Sequence, residues 1–195
     1  MPWQYDGNLS KVEWSVRYLG IATVKGWFRD VQVSLDLDPE SPLDWKTSIT
    51  IAAASVYTGY EQLDDHLRHA DFLDAERYPT IGFESRKVEA LPNGNAAVSG
   101  QKYPGVVAWE PRCERYRITG DVTLHGVTRP AELDAWYFGQ ATDGRGRTRR
   151  AFSATTMVRR SDFNIYVPPQ VDPARIVAGE EVTLQIEAIT TKMET

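Results

Sequence analysis

The side chains best suited to chemistry gather in one short stretch: Asp64, Asp65, His66, His69 and Asp71. His66 and His69 stand three apart, so on a helix they share a face, and with the neighbouring carboxylates they offer a zinc site. The spacing is not the His-Glu-x-x-His of a metalloprotease helix. The plainer reading has His66 hydrogen-bonded inside the fold and His69 in water. Asp65 and His66 offer a second chemistry, a general base and acid working on one substrate. Adjacent helical residues point about 100° apart, because a turn takes about 3.6 residues. They do not converge easily on one atom, which favours a structural role.

Other reactive groups are sparse. His125 opens a turn, where it suits loop backbone better than a metal. Cys113 is the only cysteine, so no internal disulfide is available. It has no histidine near it in sequence, which argues against a nucleophile. Arg145, Arg147, Arg149 and Arg150 form a short basic loop that either meets a phosphate head or membrane surface or, more simply, is a solvated hairpin tip. The net charge of −5 argues against general nucleic-acid binding. No run approaches the ~18 apolar residues of a membrane-spanning helix. The start, Met1 to Gly7, has neither a basic nor an apolar segment of the secretory kind, so the expectation is cytoplasmic.

The elements that must hold these groups are of two kinds. Residues 57–79 read as a helical insert, with Tyr60, Leu63, Leu67 and Ala70 on one face. Asp71 and Asp74 suggest a weaker second start, and Pro79 a stop, because Tyr78 before it is driven to extended geometry. A helix of about 12 residues would span about 18 Å, enough to plug one end of a small barrel. Almost everywhere else the chain alternates apolar and polar residues.

Val12, Trp14, Val16 and Tyr18 form one face of a strand with a wet opposite side. Val24, Gly26 and Phe28 share a face of the next, and a strand glycine marks a bend or a close backbone approach. Val31, Val33, Leu35 and Leu37 continue out of phase, which predicts a bulge near Asp30. Ile49, Ile51 and Ala53, then Ile81 and Phe83, then Ile118, Gly120, Val122 and Leu124, follow the same rule. Asn93-Gly94 predicts a hairpin turn, Val167 to Pro173 an extended loop, and residues 101–115 an irregular excursion. Strands from Ala131 to Phe138, Ala151 to Val158 and Val182 to Ile189 complete the set. The 195 residues therefore predict a single all-β domain, an antiparallel β-barrel of about eight strands with a helical plug.

Four segments carry a resemblance. Asp65-His66-Leu67-Arg68-His69-Ala70-Asp71-Phe72-Leu73 with Tyr78-Pro79-Thr80-Ile81-Gly82-Phe83 is similar to a signature of the YceI-like proteins. Val122 to Pro130 resembles one of their hairpins, Arg160-Ser161-Asp162-Phe163 a later segment, and Gly179 to Val182 the entry to their last strand. The pieces come in family order and span nearly the whole chain. There are departures: an early His-Ser of the family is Leu9-Ser10, a second early histidine is Tyr18, and the glycine after Phe163 is Asn164, a residue that tolerates positive φ.

The resemblance implies a lipocalin-like barrel around an elongated apolar tunnel, and an isoprenoid lipid as partner: a polyisoprenoid or quinone-like molecule. It implies no catalytic residues and no cofactor beyond such a lipid. Many relatives are periplasmic, and dimers occur, so a homodimer is compatible. The inward residues Trp14, Val16, Tyr18, Phe28, Ile51, Ala53, Phe83, Val122, Leu124 and Phe152 are the candidate lining. His66 and Arg160 are the candidates to meet a polar head. Periodicity gives the face of the aromatics but not whether space remains between them; the resemblance favours a tunnel. The alternatives are an enzyme on an isoprenoid-like substrate with His66 as acid and base, and a non-binding scaffold or stress protein with no cavity.

Overall fold

The structure, a computed structural model, describes residues 3–36, 41–92, 106–166 and 178–192. The alternating segments become strands β1 (Trp3–Tyr5), β2 (Lys11–Tyr18), β3 (Ala22–Phe28), β4 (Val31–Asp36), β5 (Lys46–Ala52) and β6 (Val56–Tyr57). After the helix α1 (Glu61–Arg68) come β7 (Thr80–Leu91), β8 (Val106–Leu124), β9 (Val127–Asp143), β10 (Thr148–Arg159) and β11 (Ala178–Lys192). All belong to one curled sheet in the order β4-β5-β7-β8-β9-β10-β11-β2-β3-β6, with β1 paired to β11. Every pairing among them is antiparallel.

The described strands number eleven, against about eight predicted, for a definite reason. The chain kinks at Arg29-Asp30 between β3 and β4, and at a 3-10 turn, Ala53–Ser55, between β5 and β6. Hydrogen bonds cross both kinks, from the Arg29 N–H to the Ser55 carbonyl (3.1 Å) and from the Ala52 N–H to the Asp30 carbonyl (3.0 Å). Two long strands are thus each counted twice, and β1 is a short addition. The phase slip near Asp30 is this kink and not an inserted bulge residue.

The inward faces follow the alternation. Val12, Trp14 and Phe28 are buried from β2 and β3, Ile49 and Ile51 from β5, Ile81 and Phe83 from β7, and Val122 from β8. Gly26 allows a close approach: a Cβ there would stand 2.8 Å from the Trp14 ring and would collide with the Tyr57 carbonyl.

The helical insert is shorter than its periodicity suggests. α1 has eight residues and ends when His69 turns extended, at φ −64° and ψ 163°. Pro79 is not what stops it. The chain instead winds through turns, with Asp74 at φ +45° and the Tyr78 N–H donating to the Asp74 carbonyl (2.8 Å). Tyr60 and Ala70, predicted on the buried face, are exposed, because neither lies inside the eight residues.

The excursion is also corrected. Its described part, from Val106 to Arg115, belongs to strand β8, and the irregularity is confined to its pairing with β9, which shifts at Val106–Ala108. Register shifts again at Pro111–Glu114, where a proline that cannot donate sits at a bulge. Leu37, the Asn93-Gly94 turn, residues 101–105 and the loop 167–173 lie outside the described residues. Asn164 takes φ +59°, the left-handed conformation expected of it.

Candidate ligand cavity

Two voids occupy the inside of the curled sheet, and they share no lining residue. The larger, about 140 Å³, lies under α1. Strands supply Trp14, Val16, Phe28, Ile51, Val56, Ile81, Val122, Leu124, Val158, Ala178, Val182 and Leu184 to its wall. The helical stretch closes it with Leu67, Phe72 and Leu73, and the segment after β10 adds Arg160 and Ile165. The smaller void, about 60 Å³, lies at the other end, among Val33, Leu35, Trp45, Ile49, Tyr116, Ile118, Leu133, Phe152 and Ile186.

Several ties hold the lid over the larger void. The buried Asp64 carboxylate accepts from the Thr58 N–H (2.7 Å) and hydroxyl (2.6 Å). This anchors the helix start to the segment before it, as a capping side chain does. Arg68 donates to the carbonyls of Ala54 (2.8 Å) and Val56 (3.2 Å) and pairs with Asp65 at 2.7 Å. Leu67, between these anchors in sequence, faces the void. Neither Asp64 nor Arg68 was singled out as an anchor from sequence. The groups they anchor to, Thr58 and the Ala54 and Val56 carbonyls, lie outside the helix, and no pattern within it reveals them.

Arg160 is the one charged residue in the wall. It opens a 3-10 turn, Arg160–Phe163, that follows β10. Its Nε donates to the Gly179 carbonyl (2.9 Å) and its Nη2 to the Ala178 carbonyl (3.0 Å), with Glu180 at 3.7 Å. Its Nη1 is buried with no hydrogen-bond partner among the described residues, and so is the Nε1 of Trp14. His125 braces this turn through its Nδ1, 3.1 Å from the Phe163 carbonyl, while its ring packs on Tyr78. The backbone role expected of His125 is the one it has.

His66 does not reach the void. Its ring packs against Phe72 and its Nε2 is buried without a partner among the described residues. Neither Asp65, its suggested acid–base partner, nor the nearby Asp71 bonds to it: Asp65 pairs with Arg68, and Asp71 with His69 at 3.3 Å. No cluster of three metal-ligating side chains occurs among the described residues.

The basic loop is tied down. Asp143 accepts from Arg145 N–H (2.9 Å), Arg147 Nε (2.8 Å) and Arg149 Nη1 (3.1 Å), and Arg150 stacks over Trp3 at 3.8 Å. Desolvation acts to raise the Asp143 pKa, yet the hydrogen bonds from Arg147, Arg145 and Arg149 outweigh it and hold that carboxyl well below its usual range. In the smaller void, burial and a 2.7 Å hydrogen bond to Glu114 push the Tyr116 phenol well above its usual value.

Residues 3–189 match the YceI-like domain. The chain belongs to the YceI-like family. A UPF0312 protein of Pseudomonas putida strain F1 is 31% identical over 163 residues, 84% of this chain and 74% of the relative. Another, from Pectobacterium carotovorum, is 33% identical over 180 residues, 91% and 83% of the two chains. Among solved structures, a Campylobacter jejuni YCEI protein superposes with a TM-score of 0.68 at 28% identity, covering 91% of this chain and 90% of that one. The polyisoprenoid binding domain from Saccharophagus degradans, implicated in plant cell wall breakdown, gives a TM-score of 0.66 at 12% identity, covering 98% of each. No helix of the described chain is long and apolar enough to cross a membrane.

The YceI-like resemblance implied one elongated tunnel; the structure has two divided voids. Of the predicted lining, Trp14, Val16, Phe28, Ile51, Val122, Leu124 and Arg160 surround the larger void, and Phe152 the smaller. Ala53 is buried at 1% exposure but faces neither, because it starts the 3-10 turn. Tyr18 pairs with Ala22 and Ala178 at a strand end and faces neither. Phe83 is buried between the voids. Sequence reasoning placed Phe72, Leu73 and Ile165 in no wall. They lie in turns, where no period marks an inward side.

Proposed function

We propose that this YceI-like protein binds the tail of an isoprenoid-like amphiphile in the larger void, with Arg160 meeting its head. The observation that carries the reading is a void walled by apolar side chains with a single guanidinium in its wall, one of whose nitrogens is unmatched among the described residues. A buried donor left unpaired costs about 1–3 kcal/mol, so an acceptor on a ligand head would be rewarded there. The Saccharophagus degradans polyisoprenoid binding domain, which shares the fold, is the precedent for the ligand class.

In this reading the sheet is a closed lipocalin-like barrel. The kinked strands β3–β4 and β5–β6 stand at both ends of the pairing order, so the chain itself joins the two edges. Closure matters to function because it leaves entry to the end that α1 covers.

Magnitudes limit what the resting void holds. A cavity of about 150 Å³ accommodates benzene, so about 140 Å³ suits roughly one five-carbon isoprene unit. Five buried carbons at about 0.8 kcal/mol each supply about 4 kcal/mol. Association itself costs about 4 kcal/mol or more. One unit alone therefore binds weakly, and firm binding requires the head contact or a longer buried tail.

The test compares farnesol with its headless hydrocarbon farnesene, titrated while the intrinsic tryptophan fluorescence, to which Trp14 in the cavity wall contributes, is followed. Both should bind, and Arg160→Met should weaken farnesol about tenfold while leaving farnesene nearly unchanged, as the loss of one hydrogen bond requires. Absence of saturable binding for either compound, with no lipid seen by native mass spectrometry after gentle extraction, would sink the reading.

A further inference from the structure

The interior changes from one void to the other at a single level, and Phe83 lies there. On β5, Ile51 faces the larger void and Ile49, two residues away on the same face, the smaller. On β11 the same step separates Leu184 from Ile186, and on β8 it runs from Val122 through Gly120 to Ile118. The register puts Phe83 opposite Ile49 on one side and Val122 on the other. It is thus flanked by one wall residue of each void while belonging to neither lining.

Its ring fills the space that Gly120 leaves. A Cβ on Gly120 would stand 2.7 Å from both Cε2 and Cζ of Phe83. Phe83 is 6% exposed, so it is buried. A glycine on an inward face that is otherwise apolar is where a neighbour's side chain enters. Here that neighbour is the aromatic ring of Phe83.

We infer that Phe83 is the septum of the interior and sets the length of apolar chain the protein accepts. This rests on the larger void being the tail site. A chain longer than that void must displace the Phe83 ring to reach the space beside Trp45, Tyr116 and Phe152. Shortening Phe83 joins the voids over Gly120 and lets additional isoprene units be buried.

Two measurements on the full chain separate the septum from the tail-binding reading. In crystals under xenon pressure, the wild type should show two isolated groups of sites, and Phe83→Ala a continuous row through the position of the lost ring. Prenyl alcohols of two, three and four isoprene units are then titrated into both proteins. The affinity ratio of the longest to the shortest should rise at least about tenfold in Phe83→Ala, since each added carbon gains buried area. Two xenon groups still divided in Phe83→Ala, or an unchanged length ratio, would overturn the septum. Failure of both proteins to bind any alcohol would overturn the tail-binding reading and the length role with it, while the xenon result still decides whether Phe83 divides the interior. Phe83→Leu, a milder cut, should give a smaller change in both measurements and serves if the alanine variant does not fold.

Discussion

The ring of His66 packs edge-on against the ring of Phe72, with 4.8 Å between centroids. Phe72 is wall and His66 stands behind it, so the histidine acts on the cavity only through the aromatic it supports. Among the described residues, neither Asp65 nor Asp71 pairs with His66: Asp65 is held by Arg68 and Asp71 by His69.

A supporting role predicts a particular pair of outcomes. His66→Phe should keep the edge-on contact and remove a buried unpaired nitrogen, so thermal stability should stay within about 1 kcal/mol of wild type. His66→Ala should lose about 2 kcal/mol, because it leaves a space behind Phe72. Thermal melts of the two variants, with farnesol titrations beside them, check this. A His66→Phe protein that folds normally but loses binding would show that the imidazole itself is needed.

Gly120 should tolerate no side chain. Alanine there meets the Glu84 carbonyl as well as the Phe83 ring, and backbone cannot step aside as a flexible side chain does. Overpacking of this kind costs about 1–3 kcal/mol and on occasion more. Denaturant unfolding of Gly120→Ala should place it at or above about 3 kcal/mol of lost stability. The double variant Gly120→Ala, Phe83→Ala should recover only the share due to the ring.

The phenols supply a pH dependence with a definite sign. Burial raises the pKa of Tyr5, Tyr116 and Tyr137, and Glu114 adds to the effect at Tyr116. A phenol is neutral when protonated, so a raised folded-state pKa favours the fold fully below the unfolded value, about 10. That contribution is lost as pH rises from there toward the folded value. Stability to urea should fall above about pH 10, and Tyr116→Phe should flatten the fall. Tyrosinate absorbance following ordinary phenol titration in the folded protein, with no late-titrating fraction, would contradict it.

Much of the architecture was readable in one dimension. Period-two alternation needs only neighbours to be legible, and it put Trp14, Phe28, Ile51 and Val122 on an inward face where the structure has them. The motifs around Tyr78-Pro79 and His125-Gly126 gave the family. Alternation failed where the backbone leaves the sheet: at the 3-10 turn that removes Ala53 from the wall, and in the turns that carry Phe72 and Leu73. It also could not see that a strand with Pro111 in it stays a strand, because β8 bulges between Pro111 and Glu114 and resumes its pairing with β9 on either side.

The sequence alone determined which side of each strand is greasy, since a two-residue repeat in side-chain type is local information. Where α1 ends, which carbonyls Arg160 holds, and how much room is left inside were decided by the tertiary structure. Empty space is what remains when rings from distant segments are brought to a common level. The meeting of Phe83 with Gly120, thirty-seven positions apart, exists only once β7 and β8 pair.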